Sequence, residues 1–111
     1  MPELLQVIAQ KGPLPIKNIA TIEIDSPAIV TVSGSVWTAT ANTMIGFGLK
    51  IDQDDPVPLQ IFSNGPNEHR VVVPIAFSYT FGIGDHAFAL VPMNSQTTSD
   101  FNDFYCVTVQ Y

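Results

Sequence analysis

The sequence predicts an all-β fold: an antiparallel β-sandwich arranged as a jelly roll of about eight strands. Three observations carry that prediction. Apolar residues alternate with a period of two through several segments. Helical periodicity is almost absent. Most of the nine prolines stand between segments or at their ends, where a missing amide donor does little harm. At 111 residues the chain is long enough for one core and too short for two. Residues 1–18 are expected as an N-terminal arm and 19–111 as a single jelly-roll domain. No internal repeat is visible.

Met1 to Lys11 has an ambiguous period. Pro2 and Glu3 suit a first helical turn, Leu4, Leu5 and Ile8 can share a face, and Gly12 can end it. Leu5 and Val7 equally suit an edge strand. The reading favours an arm or short helix, followed by a connector through Gly12-Pro13 and Leu14-Pro15. Ile19 to Ile24 is a short strand and Ala28 to Thr40 a long one, in which Val30, Val32 and Val36 oppose Thr31, Ser33, Ser35 and Trp37. Gly34 within it marks a bulge or a close backbone approach. In Met44 to Ile51, Ile45, Phe47, Leu49 and Ile51 form one face. Gly46 and Gly48 leave the other open to a neighbouring sheet or subunit. Asp52 to Pro56 is an acidic turn, Val57 to Phe62 a short strand, and Ser63 to Asn67 a loop.

Arg70 to Met93 is the longest patterned stretch and is expected to be one β-hairpin. Val71, Val73, Ile75, Phe77, Tyr79 and Phe81 alternate along its first arm. Gly82-Ile83-Gly84-Asp85 supplies the turn, with two glycines free to take positive φ. Phe88 and Leu90 mark the second arm. Pro74 is expected at a bulge, or where the strand leaves one sheet. Asn94 to Asp100 is a polar loop. The last strand, Phe104 to Tyr111, sets Tyr105, Val107, Val109 and Tyr111 against Phe104, Cys106, Thr108 and Gln110.

Composition excludes several functions. The net charge is −6, and Lys11, Lys17, Lys50 and Arg70 are too few and too scattered for a nucleic-acid stripe or for attraction to an anionic membrane. Only 13% of residues are charged, about half of the usual ~25%. Some apolar surface is therefore expected to be buried against a partner, most simply another copy of the chain. Phe77, Tyr79, Phe81, Tyr105 and Tyr111 are the candidate interface residues, because an aromatic ring suits a half-wet contact. Cys106 is alone, which rules out an intrachain disulfide, and its strand position predicts a buried thiol. No signal-peptide pattern or apolar span is present, so the expected location is the cytoplasm, or an assembly exported by another route.

Catalytic signatures are missing. A metal-dependent cupin would need several histidines around one ion. Here there are two, His69 and His86, which a hairpin places at opposite ends. Neither a GxSxG elbow nor a phosphate-binding glycine loop occurs. No catalytic residue and no resident cofactor is expected. The densest polar cluster is Ser99 to Asp103. Asp100, Asn102 and Asp103 could offer oxygens to Ca²⁺, as in calcium-assisted carbohydrate-binding domains, with Asp52, Asp54 and Asp55 as further donors. The alternative is an Asx-type turn that leads into the last strand.

Ser33-Gly34-Ser35-Val36-Trp37, Ile45 to Asp52, His69 to Pro74, Gly84 to Leu90 and Asp100 to Val109 follow one another in an order that resembles the C1q/tumour-necrosis-factor-like jelly rolls. The likeness covers about the C-terminal three quarters of the chain and is closest to short bacterial and phage forms. The resemblance implies a homotrimer that acts in recognition or as a structural module, without a catalytic site. Besides another copy of the chain, a carbohydrate (under the calcium-assisted alternative) or a protein surface is the expected kind of partner. It carries no universal ligand residue.

Overall fold

A computed structural model describes residues 3–23 and 25–111. Met1 and Pro2 of the expected arm or helix, and Ile24 at the end of an expected strand, lie outside the described residues. The rest forms nine strands: β1 (Leu4–Lys11), β2 (Ile16–Ile22), β3 (Pro27–Val36), β4 (Thr43–Ile51), β5 (Val57–Ser63), β6 (Arg70–Val71), β7 (Ile75–Thr80), β8 (Gly84–Pro92) and β9 (Phe104–Gln110). All pairings are antiparallel. One sheet runs β1-β9-β3, with β6 and then β7 along the free side of β3; the other runs β2-β8-β4-β5. The chain crosses between sheets at almost every connection, which is the jelly-roll signature.

The segment with two possible periods is a strand, not a helix. β1 is the edge of the first sheet and pairs with β9. Its ladder slips between Gln6 and Ile8, a bulge that accounts for the blurred period. Ile16, Lys17 and Asn18, placed in the arm by sequence, already belong to β2 and pair with β8. Gly12-Pro13 and Leu14-Pro15, both cis, make the connection between the two. The long third strand ends at Val36, and Trp37 forms an isolated bridge with Thr98.

The core is a sheet-on-sheet contact. Val30, Val32, Val36, Tyr105, Val107 and Val109 from the first sheet meet Ile45, Phe47, Leu49, Phe88 and Leu90 from the second, all fully buried. Burying large apolar side chains of this kind contributes about 1.5–3 kcal/mol each before the entropy of ordering is subtracted. Gly34 is the close approach that its position predicts, since the rings of Tyr105 and Phe47 occupy the space of a side chain there. Gly46 and Gly48 lie close against other parts of the same chain. A Cβ at Gly46 would strike the backbone of Leu59 and Gln60, and one at Gly48 would meet Pro56 at 2.8 Å, so the chain's own β5 and the turn before it approach that side closely.

The expected hairpin over Arg70 to Met93 is not a hairpin. β7 pairs with β3, whereas β8 pairs with β2 and β4. Fully buried Phe81 turns inward, and the chain changes sheets at Gly82 and Ile83. Of the two turn glycines only Gly84 takes a positive φ, +132°. Pro74 does mark a bulge. Ser35 faces Val71 and Val32 faces Ile75, so the β6–β7 side carries one residue more than β3 over the same interval.

Candidate functional site

Polar clusters cap the sandwich at both ends of β3. At the Val36 end, Asp103 is fully buried just before β9. Its Oδ1 accepts from the Ser35 hydroxyl and from His69 Nδ1, both at 2.7 Å, and its Oδ2 accepts from the Asp100 amide at 2.9 Å. Asp100 Oδ1 accepts from the Asn102 amide at 2.8 Å. This is the Asx turn that the sequence offered as an alternative to a calcium loop. Three donors on one buried carboxylate meet the requirement that a desolvated charge be hydrogen-bonded.

Among the candidate calcium ligands, Asp100 and Asp103 come together while Asn102 stays exposed. His69 joins them. One ligand atom each from His69, Asp100 and Asp103 lies within 4.8 Å of the others, and His69 Nε2 stands 3.9 Å from Asp100 Oδ2. One nitrogen and two oxygens fall well short of the six to eight oxygens that Ca²⁺ takes, and Asp103 already accepts three protein donors. The hydrogen bonds of Asp103 tie the Asp100 turn to β3 and to His69. The sequence weighs His69 only against His86; its partner Asp103 lies 34 positions away, and only the pairing of β6 and β9 with β3 brings the two together.

The second cluster lies at the Pro27 end, where Asp52, Asp54 and Asp55 belong, so none of them reaches the Asp100 loop. Asp52 takes a left-handed backbone, φ 53°, and its Oδ1 accepts from the Ala87 amide at 2.9 Å. His86 holds both ring nitrogens on acceptors: Nδ1 on Asp52 Oδ2 at 2.6 Å and Nε2 on the Gly82 carbonyl at 2.5 Å. The hydrogen bond to Asp52 raises the His86 pKa above 6.5, against the opposing effect of burial. Burial alone would push Asp52 up, but bonds from His86 and the Ala87 amide outweigh it and hold the carboxyl below 3.8. The Tyr79 hydroxyl donates to Asp54. Burial, with that bond second, pushes Tyr79 up to about 12. These groups fasten the sheet-changing corner.

The candidate interface aromatics all sit on the inward side of their strands. Phe81 and Tyr105 are fully covered by the chain itself, which makes them core residues and removes them from any interface. Phe77, Tyr79 and Tyr111 are half-buried against that core. The opposite, outward side of the same sheet is the accessible one. Thr31, Ser33, Cys106 and Thr108 run across its middle, with Leu4, Ile29 and Phe104 exposed around them. Cys106 is half-buried here, not enclosed as its strand position suggested. Among the described residues facing outward on β1, β9, β3 and β7, Lys11 is the one charged side chain.

No family model and no curated protein matches the sequence. Among solved structures, the globular domain of zebrafish complement 1qA protein superposes with a TM-score of 0.50 at 16% identity, over 84% of this chain and 66% of that one. The fold is a C1q-like jelly roll. The chain thus spans 66% of the length of that neighbour. No helix among the described residues is long and apolar enough to cross a membrane.

Proposed function

We propose that the chain is a non-catalytic, self-associating β-sandwich, a homotrimer that serves as a recognition or structural module. The observation that carries this reading is the outward face of the β1-β9-β3-β7 sheet, on which Lys11 is the single charged side chain among the described residues, in a chain of net charge −6. Like-charged copies repel over most of their surface, so the least charged face is where contact costs least. Neutral hydroxyls with apolar Ile29 and Phe104 have the composition of a contact face depleted in charge. C1q-like domains typically form trimers, which supports three copies.

Sedimentation velocity at tens of micromolar tests the proposal. The expected result is a single trimeric species for the wild type, and a monomer for Thr31→Lys and for Thr108→Glu taken separately. Both substitutions fall on the outward side of the sheet and leave the core intact, so unchanged far-UV circular dichroism should accompany dissociation, while the melting temperature should fall to a value independent of protein concentration. A wild-type monomer at that concentration would remove the proposal.

A further inference from the structure

The other sheet carries a trough built by strand register. On β2 and β4, Lys17 and Lys50 both stand opposite Ala89 of β8, one on each side. All three point outward, since Ile16, Phe88, Leu90, Leu49 and Ile51 beside them are buried. The small side chains of Ala87 and Ala89, continued by Val91, leave an open cavity of about 400 Å³ between the lysines. Pro15 lines it as well, and Asp52 and Gln53 bound it.

The backbones of β2 and β4 are two strand spacings apart, about 9–10 Å, so two flexible lysine stems can bring their ammonium groups together above Ala89. Neither lysine has a carboxylate within 4.0 Å among the described residues, where ion pairs involve only His69, Arg70 and His86. Asp52 is committed to His86 and the Ala87 amide. Half of the four cations of a −6 chain thus flank one apolar floor without a carboxylate partner among the described residues.

We propose that this trough binds a small organic anion, a carboxylate on an apolar body. Its carboxylate sits between Lys17 and Lys50 above Ala89, and its apolar part lies along Val91 and Pro15. The cavity falls in the usual ligand-site range of about 300–1,000 Å³, with the usual mix of apolar lining and few polar groups. An inorganic anion would leave the apolar floor unused. The Asp52 carboxylate at the rim disfavours a second negative charge on the ligand. The site lies on the sheet opposite the face proposed for self-association, and it needs only one copy of the chain.

The test is an amide chemical-shift titration of the intact chain with phenylbutyrate, its neutral amide phenylbutyramide, and inorganic phosphate. Saturable shifts centred on Lys17, Lys50, Ala87, Ala89 and Val91 are expected for phenylbutyrate. Lys17→Gln and Lys50→Gln should each weaken binding about fivefold, the scale of an exposed ion pair, and added salt should weaken it further. The amide should bind at least tenfold more weakly. Three results would overturn the proposal: no saturable shift in the trough, equal binding of the amide (an apolar patch only), or equal binding of phosphate (a charge patch only). Both lysines lie on the outer face, and the spectra of the variants report directly on their folding.

Discussion

Gly34 is where rings from both sheets take up the room of a side chain. A Cβ there would lie 2.5 Å from Tyr105 Cδ1 and 2.8 Å from Phe47 Cζ, two rings set edge to face at 5.2 Å. Neither ring has space to retreat, because both are fully buried. Gly34→Ala should therefore cost about 1–3 kcal/mol in overpacking and lower the melting temperature by roughly 10 °C. Gly82 makes the contrast, with nothing within 4 Å of its missing side chain. Gly82→Ala should stay within about 0.5 kcal/mol of wild type. Thermal melts of the two variants decide the matter: a Gly34→Ala protein as stable as Gly82→Ala would mean the rings can yield. The close approach at Gly34 could be inferred from a glycine inside an alternating strand. The importance of Asp103 over Asn102 could not, because it depends on Ser35 and His69, which are distant in sequence.

At the scale of elements, alternation exposes a strand but not its partner. Ile75, Phe77 and Tyr79 mark β7 and Phe88 and Leu90 mark β8, and the glycines between them suit a hairpin turn. Pairing is decided elsewhere. β3 and β8 are each flanked on both sides, β3 by β9 and by β6 and β7, β8 by β2 and β4. Phe81 is drawn into the core instead of continuing a ladder, and its ring packs 5.7 Å from that of Phe88. The N-terminal strand was equally hard to read, because a bulge breaks its period. The corner after β7 is held by His86, whose two ring nitrogens both face acceptors, Asp52 and the Gly82 carbonyl. Only the doubly protonated imidazolium can donate to both. Its folded pKa is raised above 6.5, so its contribution is full below about pH 6.5 and is lost as pH rises through the higher folded value. Asp52, depressed below 3.8, contributes above that pH and loses its part as acid protonates it. The melting temperature should therefore fall between mildly acidic and mildly alkaline pH. His86→Gln should flatten that fall and lower stability mainly on the acidic side. Parallel slopes for the two proteins would assign the pH dependence to other groups.

For the whole molecule, the scarcity of charge and the all-β periodicity were both legible in the sequence, whereas the face on which charge is scarcest was not. The aromatics that suggested an interface are the inward side of the β1-β9-β3-β7 sheet, and the neutral hydroxyl side is the one left outside. Composition can report that a protein has a charge-poor surface; only register shows which strands gather it on one face and which bring Lys17 and Lys50 together on the other. The two faces respond to salt with opposite sign. Copies of a −6 chain repel at a distance, and a contact with almost no ion pairs has little attraction for salt to screen. The Debye length shrinks from about 30 Å at 0.01 M to about 10 Å at 0.1 M, so self-association should tighten as salt is added. Sedimentation velocity across that range should show the oligomer populated at lower protein concentration in the higher salt, while carboxylate binding in the lysine trough weakens over the same interval. Dissociation of the oligomer by added salt would require charged partners across the contact, and would move the interface away from this sheet.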